Sequence, residues 1–388
     1  MEAADIFREY GPLYRQMHSL PLQTHKAMNA IVQCRTPRLG GRLDRCDQCG
    51  YERPFYNSCR NRHCPKCGTL AREKWVLARK KQVLRIVYFH AVFTIPDILN
   101  PLALTNQRVL YNILFRAGSE TLLELGRDPK HLGAEIGVIA TLHTWGQNLM
   151  DHPHLHCIVT GGGLSEDGRK WVRPRKTLKG GDFFVHGNVI SDLFKKKFLA
   201  YLKEAFDAGS LTFCGNTEYL HSKTSFYRFK NELYKRKWVT YCKEPFSGVE
   251  NVLEYLGRYI HRVAISNRRI LRLEDGQVTF RWRDYRDGHV KLMKLDVFEF
   301  IRRFLLHVLP TGFFKVRYYG IFSSRNRKTK LLRCMKILDE PLLGEKNIND
   351  WRKLFFELTG IDLCVCPKCK TGRMLTIPMM CKEDHSPP

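Results

Sequence analysis

Residues 151–160 read Asp-His-Pro-His-Leu-His-Cys-Ile-Val-Thr, a β-prone run with two histidines two positions apart. Side chains at positions i and i+2 of a β-strand point to the same face of the sheet. His154 and His156 therefore share one face, while Leu155 and Cys157 lie on the other. Two imidazoles on one strand face provide half of a divalent-metal site. The stretch predicts a strand that carries both core residues and metal ligands.

A third metal ligand is expected from the β-prone run 135–145, which precedes the histidine strand with only a short polar turn between them. His143 is the preferred candidate, and Gln147, further along the same face, is the alternative. Three protein ligands leave a coordination position open. A Mg²⁺ or Mn²⁺ ion bound there would act as a Lewis acid on a scissile phosphodiester.

Two tyrosines, Tyr255 and Tyr259, lie in a predicted helix over 248–261. Positions four apart share one face of a helix, so both hydroxyls would point the same way. A tyrosine hydroxyl can attack a phosphodiester once its proton is removed. Arg258 and Arg262, beside the pair, are candidates for contacts with DNA. The alternative is that the tyrosines are packed core aromatics, the usual role of such a pair.

The cysteines are clustered along the chain, and their spacing predicts metal binding. Two Cys-x-x-Cys pairs at this separation are typical of a four-cysteine structural zinc site, here Cys46, Cys49, Cys64 and Cys67. The same segment leaves over Cys34, Cys59 and His63, which are expected to form a second zinc site with His25 as the candidate fourth ligand. The alternative is that Cys59 and His63 brace the first site. The tail carries a further candidate metal set, Cys364, Cys366, Cys369 and Cys381.

The charge balance indicates a polyanionic partner. The chain has 388 residues, with 65 lysines and arginines against 38 aspartates and glutamates, and a formal net charge of +27. Its 44% hydrophobic content is enough for a folded core, so nucleic acid is the expected partner of this charge. Neither a signal-peptide pattern nor a run long enough to cross a membrane is found, so we expect a cytoplasmic protein with reduced cysteines.

A basic stretch over 315–336 contains eight lysines or arginines and no acid, interleaved with aromatic residues. Cations that pair with phosphates and rings that stack on bases are typical of single-stranded DNA binding. A solvated charged face is the alternative. The candidate DNA-binding residues of this stretch are Lys315, Arg317, Tyr318, Arg325, Arg327, Lys328 and Lys330.

The mixture of helical and strand-like runs predicts an α+β protein with three consecutive domains. Residues 1–80 are expected to hold an N-terminal helix and a small zinc-ribbon-like domain, 81–300 the catalytic domain, and 301–388 a basic C-terminal region. The clearest predicted elements are a strand over 88–95, a helix over 104–125 and a hairpin over 265–284.

Together these motifs resemble the HUH endonucleases, which combine histidine, a hydrophobic residue and histidine on a strand with a catalytic tyrosine. More narrowly, the order of motifs is similar to the rolling-circle transposases of the IS91 insertion-sequence family. The motifs that carry this resemblance are Cys34-Arg35-Thr36, the cysteine array of 46–67, His152-Pro153-His154-Leu155-His156, Gly161-Gly162-Gly163, and Tyr255 with Tyr259. The resemblance implies an HUH-type antiparallel sheet backed by helices, and single-strand DNA cleavage that joins a tyrosine to the 5′ phosphate.

The resemblance also implies partners: single-stranded or hairpin ends of a mobile element, in the nucleoid of a bacterial cell. No ATP-binding motif is found in the sequence, so host unwinding and replication proteins are further expected partners. Two alternatives stay open. One is a plasmid relaxase or replication initiator with the same chemistry, and the other is a non-enzymatic zinc-ribbon DNA-binding protein. The oligomeric state stays open as well.

Overall fold

The computed structural model describes residues 1–80, 83–176, 182–246, 257, 263–284, 286–340 and 351–379. The chain divides into two compact units, each assembled from more than one stretch of sequence. Unit 1 comprises Met1–Lys74, Ile265–Val308 and Leu343–Pro388, and unit 2 comprises Trp75–Ala264 and Leu309–Leu342. This division differs from the three consecutive domains expected, because two later stretches cluster with the N-terminal region.

Unit 1 begins with three helices, α1 (Ala3–Glu9), α2 (Gly11–Met17) and α3 (Leu22–Gln33). Prolines account for the breaks between them, since Pro12 lies in the first turn of α2 and Pro21 directly precedes α3. Ile6, Met28 and Ile31 are buried where α1 packs on α3. The helical pattern expected for this region is therefore confirmed, in three segments.

The cysteine-rich part of unit 1 is built on a small antiparallel sheet. Its strands are β1 (Gly41–Cys46), β2 (Glu52–Tyr56) and β15 (Met374–Met379), with β1 in the centre. Gly41 pairs with Tyr56 of β2 on one side and with Met379 of β15 on the other. The tail of the chain thus supplies an edge strand to the N-terminal sheet. Helix α11 (Trp351–Thr359) precedes that strand.

A second antiparallel sheet in unit 1 consists of β11 (Ile270–Glu274), β12 (Gln277–Arg283) and β13 (Val290–Asp296), followed by α9 (Val297–Leu306). The turn between β11 and β12 places Asp275 and Gly276 at φ angles of 51° and 69°. Positive φ at both central positions is what a two-residue hairpin turn requires. The hairpin expected over 265–284 is confirmed, and β13 extends it by one strand. Asp296 caps α9 by accepting hydrogen bonds from two backbone N–H groups.

Unit 2 is an antiparallel sheet with helices. Its main strands are β3 (Tyr88–Thr94), β4 (Gly137–Trp145), β5 (Asp151–Thr160), β10 (Thr240–Phe246) and β14 (Val316–Gly320). Its helices are α5 (Asn100–Thr105), α6 (Gln107–Arg127), α7 (Gly187–Asp207), α8 (Lys223–Lys235) and α10 (Lys330–Ile337). Two short ribbons pair β6 (Gly163–Leu164) with β7 (Trp171–Val172) and β8 (Arg175–Lys176) with β9 (Asp182–Phe183). Helix α4 (Thr69–Lys80) contains the division between the two units.

The five main strands run in the order β10-β3-β5-β4-β14, and each neighbouring pair is antiparallel. Strands β4 and β5 are joined directly by the turn 146–150 and are flanked on both sides by other strands. The predicted α+β fold with an antiparallel sheet and helices is confirmed. Strand β14, from the basic stretch 315–336, was not expected there.

The two faces of this sheet have different surroundings. One face carries Phe93, Leu155 and Cys157, which are fully buried in a core shared with α5 to α8. Helix α6 lies close to that face, since a Cβ at Gly118 would be only 3.2 Å from the side chain of Leu155. The opposite face includes Ile158, which packs in a second core with side chains of α10. Because side chains alternate along β5, His154 and His156 fall on this second face.

Two helices were expected from the sequence in other parts of the chain. The helix expected over 104–125 matches α5 and α6, whereas the predicted helix 248–261 lies outside the described residues except for Gly257. No described helix is both long enough and apolar enough to span a membrane.

Candidate metal centres and DNA-binding surface

Three histidines converge on the second face of the unit 2 sheet. His154 and His156 lie on β5, and His143 lies on β4 directly opposite His154 in the strand register. One ring nitrogen of each histidine lies within 4.8 Å of the other two. His143 is buried, and the other two are half-buried. The sequence prediction that His143 faces the histidine pair is therefore matched by the strand geometry.

The ring nitrogens of the pair are oriented as ligands. The Nε2 atoms of His154 and His156 lie 3.1 Å apart. The Nδ1–H of His154 donates to the backbone carbonyl of His152 at 2.6 Å. Nδ1 of His156 shares a hydrogen bond of 2.9 Å with Nε2 of His90 on β3. Each ring is thus held at Nδ1, the arrangement that fixes the tautomer of a metal-binding histidine.

The spacing of these atoms fits a divalent ion. Two nitrogen ligands at right angles, with bonds of about 2.1 Å, are about 3.0 Å apart. The 3.1 Å between Nε2 of His154 and Nε2 of His156 agrees with that value. A three-histidine set leaves coordination positions for water or substrate, as catalytic metal sites do. Gln147, the alternative third ligand, lies in the turn after β4, and its role as a ligand stays a prediction.

Aromatic rings and a cation surround the histidines. The ring of His143 stacks on Trp145 with centroids 5.0 Å apart, and the ammonium of Lys315 lies 4.8 Å from the centre of the Trp145 ring. The rings of Tyr241 and His90 are perpendicular, with centroids 6.2 Å apart. One of the predicted DNA-binding cations therefore lies beside the candidate metal site. A positive charge there favours the approach of a phosphate.

A half-buried acid, whose carboxylate oxygens are buried, lies on the opposite face of the histidine strand. Asp151 alternates with His154 along β5, and within the described residues neither of its carboxylate oxygens has a hydrogen-bond partner. Burial raises the pKa of Asp151 to about 7. Burial, together with this acid, holds the pKa of the Tyr111 hydroxyl well above its ordinary value. Asp151 is not among the converging ligands, so the site consists of imidazoles.

The tyrosine pair lies outside the described residues. Tyr255 and Tyr259 are in that undescribed part of the chain, and so are Arg258 and Arg262. Their roles as nucleophiles and DNA contacts stay predictions from the sequence.

The cysteines form two clusters, and their grouping differs from the prediction. Cys34, Cys59, Cys64 and Cys67 form one set of converging sulfurs, and Cys46, Cys49, Cys366 and Cys369 form the other. The expected site of Cys46 and Cys49 with Cys64 and Cys67 is therefore wrong as a grouping. The physical reason is that β1 pairs with β15, which brings the tail cysteines to the end of β1. Neither His25 nor His63 belongs to these sets.

The metal set predicted in the tail, of Cys364, Cys366, Cys369 and Cys381, does not form one cluster among the described residues. Cys366 and Cys369 join the cysteines at the end of β1, whereas Cys364 is exposed and belongs to neither set. Cys381 lies outside the described residues. The sulfurs of the first cluster lie 3.0 Å (Cys34 to Cys67) and 3.5 Å (Cys59 to Cys67) apart. Four convergent thiols are the usual ligands of structural zinc.

The basic stretch 315–336 is partly engaged within unit 2. The guanidinium of Arg317 lies 4.1 Å from the Phe115 ring centre and donates to Asn112 at 2.6 Å. Lys330 pairs with Glu135. Tyr318 packs against the core of the histidine face. The other candidates of this stretch are exposed Arg325, half-buried Arg327 and exposed Lys328. Their contacts with DNA stay predictions.

Two residues of this region were not found from the sequence. His90, which orients His156, is an imidazole in the otherwise apolar run of β3, and that contrast was a usable signal. Phe314 is 77% exposed next to Lys315, which suits stacking on a base. The signal for Phe314 in the sequence is an aromatic residue directly before the basic stretch.

Comparison with known proteins identifies the chain. Residues 137–330 match a family model described as "Putative transposase", and residues 6–95 match one described as "Transposase zinc-binding domain". The chain is 49% identical over 381 residues to "Putative transposase y4qJ" of Sinorhizobium fredii, covering 97% of this chain and 94% of that protein. It is 27% identical over 311 residues to "Transposase for insertion sequence element IS801" of Pseudomonas savastanoi pv. phaseolicola, covering 77% of this chain and 70% of that protein. No solved structure matches it significantly.

The histidine-bearing sheet and the cysteine clusters therefore belong to a transposase, a DNA-binding and DNA-modifying enzyme. The chain is a member of the IS91 family of transposases, with the zinc-binding domain of that family at its N-terminus. The resemblance seen in the sequence motifs is confirmed.

Proposed function

We propose that this transposase cleaves and rejoins single-stranded DNA at insertion-sequence ends through a covalent 5′-phosphotyrosine intermediate, with the help of a divalent metal. The observation that carries the proposal is the convergence of three imidazoles, two of them held at Nδ1 by hydrogen bonds. A non-catalytic DNA-binding protein has no need of such a ligand set with open coordination positions.

The proposed roles follow from the geometry of the site. His143, His154 and His156 would hold the ion, and His90 with the His152 carbonyl keeps two of the rings in position. A bound Mg²⁺ or Mn²⁺ would supply Lewis-acid polarisation of the scissile phosphate. Lys315 beside Trp145 supports binding of the DNA backbone next to this site.

The nucleophile is proposed to be Tyr255 or Tyr259. The phenol oxygen attacks phosphorus, the bond from phosphorus to the 3′ oxygen breaks, and the leaving 3′ oxygen takes up a proton. The free 3′ hydroxyl can later attack the phosphotyrosine, which releases the tyrosine and reseals DNA without ATP. A phenol has an ordinary pKa near 10, so a neighbouring base or water must remove its proton. Two tyrosines allow one to hold a strand while the other cuts a second end.

Partners follow from this chemistry. The site acts on single strands, so unwinding of the element falls to host helicases and replication proteins in the nucleoid. Single-stranded or hairpin ends are the proposed substrates, with the exposed cations of 315–336 as the contact surface.

The experiment is incubation of the full chain with end-labelled single-stranded DNA from both element ends, with Mn²⁺, Mg²⁺ or excess chelator. We expect a protein–DNA adduct that survives denaturation and maps by mass spectrometry to Tyr255 or Tyr259. The Tyr255→Phe, Tyr259→Phe double variant should form none. Tyr234→Phe, at an exposed tyrosine of α8, is the matched control and should form as much as the unmodified chain.

Three results would overturn the proposal. An adduct in the double tyrosine variant would return both tyrosines to a packing role. Full cleavage in excess chelator would exclude the metal. Tight DNA binding with no cleavage of any element end would favour the non-enzymatic alternative.

A further inference from the structure

The two ends of the described chain meet at one cysteine cluster. The sulfur of Cys46 lies 3.7 Å from that of Cys369, and the sulfur of Cys49 lies 3.7 Å from that of Cys366. Four sulfurs at about 2.3 Å from a zinc ion, in a tetrahedron, are about 3.8 Å apart. The observed separations fit that arrangement. They are far beyond the length of a disulfide bond, about 2.05 Å.

We infer that Cys46, Cys49, Cys366 and Cys369 bind a structural zinc ion of their own, which joins the tail to the N-terminal zinc-binding domain. The inference is independent of the proposed nuclease chemistry. It adds a second zinc to the one expected at Cys34, Cys59, Cys64 and Cys67. It also makes the C-terminal segment part of that domain, although the family match for the domain ends at residue 95.

The local backbone is arranged as a pair of zinc knuckles. Cys46 Sγ accepts hydrogen bonds from the N–H groups of Gln48 and Cys49, each at 3.4 Å. Cys369 Sγ accepts one from the N–H of Gly372 at 3.3 Å. Hydrogen bonds to the charged form of a thiol favour that form, which is the one that binds metal. Each half of the site thus directs backbone N–H groups at one of its own sulfurs.

Close contacts fix the two knuckles against each other. A Cβ at Gly372 would collide with the Cys46 sulfur, so a glycine is needed where the tail passes this cysteine. Asp47 Oδ1 accepts a hydrogen bond from the N–H of Arg373 at 2.8 Å. The hydroxyl of Thr371 donates to the side chain of Gln48 at 2.8 Å. These contacts hold the tail knuckle against the N-terminal one.

The paired strands extend the junction beyond the cysteines. Strand β15 pairs with β1 from Met374 opposite Cys46 to Met379 opposite Gly41. The hydroxyl of Thr376 donates to the buried carboxylate of Asp44 at 3.0 Å. A site whose ligands are 317 residues apart closes a very long loop, which carries a large entropic cost. The strong binding of zinc by four thiolates is sufficient to offset that cost.

One consequence concerns synthesis. The second site lacks half of its ligands until the tail has left the ribosome. Assembly of this site therefore follows synthesis of unit 2, which precedes Cys366 and Cys369 in the chain.

The test is mapping of thiol protection on the full chain as purified. Native protein is treated with N-ethylmaleimide, modified cysteines are identified by mass spectrometry, and zinc is measured by elemental analysis. We expect Cys49, which is exposed, to be protected, so that its protection reports metal and not burial. Cys364, also exposed, should react at once. Under graded chelation, Cys46, Cys49, Cys366 and Cys369 should become reactive as one set.

Variants sharpen the test. The Cys366→Ser, Cys369→Ser double variant should lose one zinc per chain and should make Cys46 and Cys49 reactive, while Cys34 stays protected. Cys364→Ser is the matched control, two positions from Cys366, and should keep its zinc.

Three results would overturn the inference. They are unchanged zinc in the double variant, continued protection of Cys49 in that variant, and exposure of Cys46 together with Cys64 under chelation. If the double variant unfolds as a whole, the chelation series on the unmodified chain decides between the two groupings.

Discussion

The histidine cluster and the cysteine clusters are both convergent sets of ligands, yet different forces bring their residues together. The histidines lie on adjacent strands β4 and β5, whose other face is packed in a large apolar core. The cysteine cluster that includes Cys59, Cys64 and Cys67 lies along residues 57–68, which contain no helix or strand. Backbone pairing and core packing can hold the histidine site without metal. The cysteine cluster along residues 57–68 has little besides metal to hold it.

This difference supports separate proposed roles for the histidine site and the cysteine sites. A preformed site costs little reorganisation when an ion or substrate binds, which suits catalysis. A site formed by its ion converts binding energy into folding energy, which suits a structural role. The predictions below test that separation, from the largest expected effect to the smallest.

The largest effect is expected at a zinc ligand. Cys64→Ser should remove most of the zinc binding energy at its cluster, about 10–16 kcal/mol for structural sites, and should unfold the cysteine-rich region. Limited proteolysis of the full chain should then cut within residues 34–67, while the strands of unit 2 resist. Cys214→Ser, at an exposed cysteine outside both clusters, should behave as the unmodified chain. Equal resistance of Cys64→Ser and the control would contradict a metal-held fold.

Substitution of a ligand histidine is expected to lower the cleavage rate without unfolding the protein. His154→Ala or His156→Ala should lower the rate of DNA cleavage by about a thousandfold or more, since Lewis-acid stabilisation contributes several kcal/mol. The melting temperature and DNA affinity should change little. His289→Ala, at an exposed histidine, is the control. Wild-type cleavage by either variant would remove the histidines from the site.

The histidine site could be predicted from the sequence more fully than the cysteine sites. The alternation of one strand and its neighbour in sequence placed His143, His154 and His156 together, because a short turn fixes which strands pair. Spacing identified the cysteine pairs but not which pairs share an ion. That choice depends on β1 pairing with β15, a contact between distant ends of the chain that local patterns do not encode. His90 was missed for a related reason, since β3 pairs with β5 across a long insertion.

An effect smaller than that of the ligand histidines is expected at His90, which positions His156. His90→Phe removes the hydrogen bond to His156 and should raise the Mn²⁺ concentration for half-maximal cleavage by about 10–100-fold. Saturating metal should restore most of the rate. His90→Gln keeps a side-chain acceptor and should recover part of the affinity. A loss of maximal rate with unchanged metal dependence would argue for a merely structural role.

The smallest effect is expected at the exposed cations of the basic stretch. Lys328→Ala should weaken binding of single-stranded DNA by a few-fold for all sequences, and should reduce the slope of log affinity against log salt by about 0.7. Lys130→Ala, an exposed lysine outside the stretch, is the control and should leave the slope unchanged. Identical slopes for both variants would mean that Lys328 does not contact phosphate.

The most direct test of the contrast is hydrogen exchange of the full chain before and after removal of all metal by chelation. Backbone amides of β4 and β5, residues 137–160, should keep their protection, because the sheet forms the histidine site without an ion. Amides of β1, β2 and β15, with the loop 57–68, should lose theirs. Equal loss of protection in both regions, or loss in neither, would contradict the separation between a preformed catalytic site and metal-formed structural sites.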